Sequence, residues 1–298
     1  MSLLGRIKPK GPSGFGYGSS ATDVTEGLDL GGKTFLITGC NSGIGQETMR
    51  VLQARGGKVI GLARTEAKAR DAGADDAVAC ELSEPDSVRA AVDAVKQLAP
   101  IDALIANAGI MALPELHVKH GLELQFLTNH IGHFILVTGV LDRLTDDGRV
   151  VMLSSSAHSM APGEGIPFDN LDGSKGYRDW THYGISKLAN LLFARELDRR
   201  MEGDRVANGV HPGVIKTNLS RHMPAWQNAL FGLAGPVALK SVGEGAATQT
   251  WAAVHPDTAS IHGEYLQDCN VSTSSRRGQD MALAAELWTY TERIVAEL

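Results

Sequence analysis

Residues 34–45 read Thr34-Phe35-Leu36-Ile37-Thr38-Gly39-Cys40-Asn41-Ser42-Gly43-Ile44-Gly45, and this stretch decides the fold. A short apolar run without polar alternation is how a strand reads when both of its faces are covered. Here it runs straight into glycines at 39, 43 and 45, and a helical pattern follows over 44–55. Such glycines let the backbone turn sharply and lie close to a ligand. The helix then offers free N–H groups and its positive dipole end to a pyrophosphate. The spacing is Gly-x-x-x-Gly-x-Gly, not the commoner dinucleotide-binding spacing, and a plain glycine-rich turn is the alternative.

The same alternation continues on the C-terminal side. Further strands are expected over 58–62, 77–80, 102–106, 149–153, 206–210 and 264–266, and further helices over 85–98, 123–144, 183–201, 243–253 and 279–297. Ser83 followed by Asp86 resembles a capping-box start for the helix at 85. Strands alternating with helices predict one α/β domain with a doubly wound, Rossmann-type, seven-stranded parallel sheet. Its expected order is 3-2-1-4-5-6-7, with helices on both faces. Residues 1–27 read as a loose N-terminal lead and 28–298 as the domain.

Composition sets outer bounds. The chain has 298 residues, a net charge of -6 and a pI of about 5.9. No dense Lys/Arg run is present, which argues against a nucleic-acid partner. The three cysteines (Cys40, Cys80 and Cys269) form no disulfide or zinc pattern and read as buried thiols of a reducing cytoplasm. Arg6, Lys8 and Lys10 are followed by a Gly/Ser-rich stretch instead of an apolar signal run. The longest uncharged apolar stretch, 229–239, has 11 residues. Spanning a bilayer takes about 20.

Chemistry concentrates at the ends of the expected strands. The second strand ends Gly61-Leu62-Ala63-Arg64. An acid there would bind the ribose 2′-hydroxyl of NAD, whereas an arginine accommodates a 2′-phosphate. Ala63 and Arg64 therefore favour NADP, with NAD as the lesser option and a solvated arginine as the alternative reading. Glu81 and Leu82 follow the third strand, where an adenine can rest. Asn107-Ala108-Gly109 ends the fourth; the amide can tie two loops together and the glycine leaves room for a ribose.

Tyr183 and Lys187 are spaced i, i+4 on one helix face. A phenol has a pKa near ~10, and a neighbouring ammonium is expected to lower it, making the pair a general acid/base. Upstream, a strand ends in Ser154-Ser155-Ser156, where a hydroxyl can hold a carbonyl oxygen. Downstream, His211-Pro212-Gly213-Val214-Ile215-Lys216-Thr217 leaves a strand with backbone groups and the Thr217 hydroxyl free to hold a carboxamide. The segment 221–239, with Met223, Trp226, Phe231, Leu233, Val237 and Leu239, reads as an apolar lid suited to bulky hydrophobic substrates. Helical core packing is the alternative.

Two His-x-x-His pairs, His117/His120 and His130/His133, lack the third and fourth ligands of a metal site, so no metal is expected. A hydrolase built from Ser155, His158 and Asp169 lacks a Gly-x-Ser-x-Gly elbow.

These motifs, in this order, resemble the short-chain dehydrogenase/reductase family, in particular its retinol-dehydrogenase-like branch. The resemblance spans roughly residues 20–295. It rests on residues 38–45, Asn107-Ala108-Gly109, Asn129-His130-Ile131-Gly132-His133-Phe134, Ser154-Ser155-Ser156-Ala157-His158, residues 183–187 and His211-Pro212-Gly213. It implies a catalytic set of Asn129, Ser155, Tyr183 and Lys187, with Ser154 and Ser156 as fallbacks for the serine. Asn129 is implied to hold a water that links Lys187 to solvent, Lys187 to bind the nicotinamide ribose, and Tyr183 to deliver or remove the substrate proton. The implied cofactor contacts are Gly39, Asn41, Ser42, Gly43, Ile44, Gly45, Arg64, Glu81, Leu82, Asn107, Ala108, Gly109, Tyr183, Lys187, Pro212, Gly213, Val214 and Thr217. The expected reaction is NADP(H)-linked interconversion of a hydrophobic alcohol with its ketone or aldehyde. A non-enzymatic NADP(H) sensor and a C=C reductase are the alternatives. Three departures stand out. Ser155 and Tyr183 lie 28 residues apart, which leaves a polar insertion at about 163–181. Asn208 and Gly209 make the sixth strand less apolar, and the lead lacks the hydrophobic anchor of membrane-bound relatives. Relatives often pair through the helices holding Asn129 and Tyr183, so a homodimer or homotetramer is a possible assembly.

Overall fold

The computed structural model describes residues 7–215 and 239–298. Thr217 and the expected lid segment, 221–239, fall outside the described residues, apart from Leu239.

The opening strand, β1 (Thr34–Thr38), is buried at every position. Phe35, Leu36 and Ile37 are each at most 2% exposed, and burying each stabilises the fold by about 2 kcal/mol. β1 lies between β2 (Lys58–Ala63) and β4 (Ile101–Ala106), parallel to both. β3 (Asp76–Ala79) flanks β2, and β5 (Leu144–Leu153), β6 (Val206–His211) and β7 (Tyr265–Gln267) continue beyond β4. The order is β3-β2-β1-β4-β5-β6-β7, all parallel, as the alternation predicts. An eighth strand, β8 (Asn270–Ser272), was not expected; it adds antiparallel to the β7 edge after a tight turn through Asp268 and Cys269, both at positive φ.

Helices cover both faces, giving two apolar layers. One layer gathers α1 (Gly43–Ala54) and α6 (Val242–Val254); the other gathers α3 (Pro85–Lys96), α4 (Gly132–Gly139), α5 (Asp179–Arg200) and α7 (Met281–Glu297). A short helix, α2 (Glu66–Asp71), was missed; Thr65 caps it by accepting from Lys68 N.

The continuous helix expected over 123–144 is broken. A three-residue helical lead-in (Leu124–Phe126) passes into a π turn over Leu127–Ile131, then α4, then a 3₁₀ turn. Residue 132 must be glycine here, because a Cβ would strike the Leu82 carbonyl oxygen. The capping box at Ser83 does not form either: the Ser83 hydroxyl donates to Glu81 Oε1 instead, and α3 starts at Pro85. A true capping box opens α6 at Ser241 and Glu244.

The lead is packed where it was expected to be loose. Ala21 and Val24 are buried in the core, Ala21 N donates to Gly243 O (2.9 Å), and Asn270 holds Ser13 N and Phe15 O. α7 lies across α5, with Trp288 stacked on Phe193 at 5.5 Å and edge-on to Phe134 at 5.1 Å. Arg200 covers the same indole at 4.4 Å. Among the described residues, no helix is long and apolar enough to cross a membrane.

Candidate active site

The C-terminal ends of β1–β6 border a cleft of about 1130 Å³. One wall is the turn after β1. Gly39 takes a positive φ of 69°, and its N–H donates to Leu62 O. Gly45 has no room for a side chain, because a Cβ there would meet Gly39 O and Asn107 Nδ2. The turn is therefore pressed against the β4 loop with its backbone bare to the cleft. Asn107 makes the tie expected of it: its Nδ2 donates to Thr38 O (2.8 Å), and its Oδ1 accepts from Gln249. Asn41, Ser42, Gly43, Ile44, Ala108, Gly109, Leu82 and Glu81 also line the cleft. Glu81 Oε1 accepts from the Ser83 backbone and hydroxyl. Arg64 reaches the rim exposed and, among the described residues, has no hydrogen bond or ion pair.

The opposite wall brings Ser155, Tyr183 and Lys187 together. α5 carries the Tyr/Lys pair; the Lys187 ammonium lies 5.6 Å from the Tyr183 ring centroid and donates to Leu153 O (3.0 Å). Ser154 Oγ turns away to donate to Lys187 O (2.7 Å), so of the three serines it is occupied. Ser155 ends an extended segment, accepts from Ala157 N at its Oγ and stands beside the Tyr183 phenol, whose pKa it lowers.

The expected lowering of the phenol pKa is reversed in the free protein. Burial pushes Tyr183 up to about 12, with nearby Ser155 pulling the other way, and burial also draws Lys187 down to about 8. Desolvation is the leading cause of both shifts.

Asn129 does not line the cleft. It is fully buried behind Gly109, where its Oδ1 accepts from Ile110 N and its Nδ2 donates to Ile110 O and to Ser186 Oγ, each at 2.9 Å. A Cβ on Gly109 would lie 3.0 Å from Asn129 Oδ1 and 3.5 Å from Lys187 Nζ. The main-chain oxygen of Asn129 accepts from His133 Nδ1 (2.9 Å). Gly45 also sits behind the wall. Pro212, Gly213 and Val214 line the cleft below β6, and Gly213 has a positive φ of 93° with Lys240 Cδ 2.6 Å from a hypothetical Cβ.

Sequence reasoning missed the apolar mouth: Met111, Leu124, Ala157, Met160 and Trp180 line the cleft. The Trp180 ring stands edge-on to Tyr183 at 6.1 Å. Trp180 falls in the stretch that reads as a polar insertion, so only its own indole signalled it. His130 and His133 are buried packing groups, and His120 joins Lys119 on Glu84. Among the described residues, no group of three metal-ligating side chains forms. The hydrolase alternative fails geometrically, since Asp169 pairs with Lys175 and both His158 nitrogens bond backbone groups.

Comparison with known proteins agrees with this geometry. The family model for short chain dehydrogenase matches residues 33–168. The chain is 39% identical to short-chain dehydrogenase TIC 32 B, chloroplastic, of Brassica napus, covering 100% of both proteins. It is 36% identical to human retinol dehydrogenase 14 over 90% of this chain and 87% of that protein. Among solved structures, an uncharacterized protein from Mycobacterium paratuberculosis superposes with a TM-score of 0.75 at 32% identity, covering 92% of this chain and 97% of that one. The aligned relatives, the sheet order and the cleft thus lead to one statement: the chain belongs to the short-chain dehydrogenase/reductase family of oxidoreductases, on its retinol-dehydrogenase-like side.

Proposed function

We propose that this cleft binds NADP(H) and interconverts a bulky hydrophobic alcohol with its ketone or aldehyde. The observation that carries the reading is the meeting of the Ser155 hydroxyl, the Tyr183 phenol and the Lys187 ammonium on one wall, facing a bare glycine turn.

The residues fit a dinucleotide. Gly39–Gly45 and the α1 N-terminus can receive a pyrophosphate by backbone N–H groups and the helix dipole. Arg64, a cation exposed at the rim, suits a 2′-phosphate, while Ala63 supplies no acid for a free 2′-hydroxyl. Glu81 and Leu82 border the adenine position, Asn107–Gly109 and Lys187 the ribose, and Pro212–Val214 the carboxamide; Thr217 lies outside the described residues. When bound, the cofactor supplies or takes the hydride.

The protein's own groups manage the proton and the oxygen. With its pKa near 12 the Tyr183 phenol keeps its proton at neutral pH and can donate it to a carbonyl oxygen. Ser155, whose Oγ already accepts from Ala157 N, has its O–H free to hold that same oxygen. A charged Lys187 then favours the phenolate left behind. Asn129 clamps the Ile110 backbone and so positions the Gly109 loop beside Lys187, and its main-chain oxygen is proposed to hold the relay water. Met160 and Trp180 give the substrate an apolar wall. Three free buried thiols suit a reducing compartment such as the cytoplasm.

The test is oxidation of NADPH, read by its absorbance, with a panel of hydrophobic ketones, aldehydes and enones. Turnover of ketones or aldehydes is expected. Cofactor binding without turnover would make the protein a sensor, and turnover of enones alone would make it a C=C reductase. Ala63→Asp with Arg64→Leu should raise the NADH/NADPH ratio of kcat/KM about tenfold or more, as expected for a lost charge-assisted phosphate contact. An unchanged ratio overturns the NADP assignment.

A further inference from the structure

The Ser155–Ser156 peptide bond is gripped at both ends by imidazoles. Its carbonyl, Ser155 O, accepts from His158 Nδ1 at 2.6 Å. Its N–H, from Ser156, donates to His211 Nδ1 at 3.2 Å. The two rings come from different elements: His158 from the 3₁₀ turn Ser156–Met160, and His211 from the last residue of β6. They are 3% and 6% exposed.

From these contacts we infer that His158 and His211 are positioning residues that fix the direction of the Ser155 hydroxyl. The inference rests on the role proposed above for Ser155.

The hydrogen bonds determine the tautomers. His158 Nε2 accepts the Ser275 N–H at 2.9 Å, so its proton sits on Nδ1 and points at Ser155 O. His211 accepts at Nδ1, so its proton sits on Nε2. Burial draws both rings below the usual imidazole range, His211 to about 4, which keeps both neutral. The Tyr265 ring, edge-on to His158 at 5.0 Å, holds that imidazole in plane with its task. His158 thereby links Ser155 to the β8–α7 loop that carries Ser275.

Fixing this peptide fixes the serine. Ser155 is extended at φ −164° and ψ 160°, and the chain turns at once into the 3₁₀ segment. Rotation of the gripped peptide would change ψ and break the Ala157 N–H bond to Ser155 Oγ (3.2 Å). The same turn is seated on α5, because a Cβ on Gly184 would lie 2.6 Å from Ala157 O. The clamp therefore sets the serine hydroxyl against Tyr183, the neighbour of Gly184.

Side-chain mimics separate this role from mere packing. In His158→Asn the amide nitrogen takes the Nδ1 position and retains the bond to Ser155 O while losing Ser275. In His158→Gln the amide reaches the Nε2 position and retains Ser275 while losing Ser155 O. His211→Asn keeps an acceptor at the Nδ1 position and His211→Leu removes it. Steady-state kcat and KM with a hydrophobic ketone, NADPH affinity by calorimetry, Tm, and crystal structures of each variant are measured.

The expected result is a fall in kcat of about tenfold or more in His158→Gln and His211→Leu, the scale of an ~1 Å misplacement of a catalytic group. NADPH affinity stays close to wild type, and both Asn variants recover most of the loss. In a Ser155→Ala background the same changes add nothing. Equal kcat in the Asn and Gln variants, or kcat following Tm alone, overturns the clamp. Should the wild-type protein reduce no carbonyl, the reading of the cleft fails, but crystal structures still judge the clamp. A displaced Ser155 hydroxyl in His158→Gln supports it, and an unmoved one overturns it.

Discussion

Tyr183→Phe is expected to lower kcat for ketone reduction by about three orders of magnitude, within the 10²–10⁴-fold range typical of a lost general acid. The substitution removes one oxygen and leaves the ring that Trp180 and Lys187 pack against. Fold and NADPH affinity should therefore hold while proton delivery is lost. Ser155 cannot replace the phenol, because its hydroxyl is a far weaker acid held to orient the oxygen. The measurement is kcat beside Tm and NADPH affinity. A variant that folds, binds NADPH and turns over within tenfold of wild type would remove Tyr183 from the chemistry.

Acid should unfold the protein early. Burial draws His130 to about 3, His133 to about 4 and His211 to about 4, against 6.5 for each when exposed. His133 is held neutral between the Thr38 hydroxyl and the Asn129 carbonyl, each at 2.9 Å, and His130 faces Thr291 at 3.0 Å. Below pH 6.5 the unfolded chain takes up protons that the native state refuses. Stability is thus intact above about 6.5 and declines as pH falls toward 4. At pH 5 each histidine costs about 2 kcal/mol by linkage at 1.36 kcal/mol per pKa unit. Three together rival the 5–15 kcal/mol stability usual for a domain. Urea unfolding at pH 7 and pH 5 tests this, and an unchanged midpoint would show that these imidazoles titrate normally.

What could be read from the text depended on how local the cause was. β1 was read to the residue because five consecutive buried positions end in a glycine turn, and both signals are local. The broken helix around Asn129 was not readable. No proline interrupts residues 123–144 in sequence, whereas the π turn goes with close approach of residue 132 to the Leu82 backbone. β8 was silent because it is three residues long and carries an exposed Val271. In the site, Tyr183 and Lys187 announce themselves one helical turn apart, but Asn129 does not reveal that its amide is spent on Ile110 and Ser186. The tyrosine's titration was misjudged because charge spacing is visible in a sequence and desolvation is not. His158 and His211 lie 53 positions apart and meet only through one peptide bond, a relation without any periodic signature.

α7 has a bearing on how rigidly the cleft wall is held. By laying Trp288 over Phe134 and Phe193, and Thr291 over His130, the chain shields with its own tail the strip that bears Asn129 and Tyr183. The two helices that carry the proposed reacting groups are thus braced from within a single subunit.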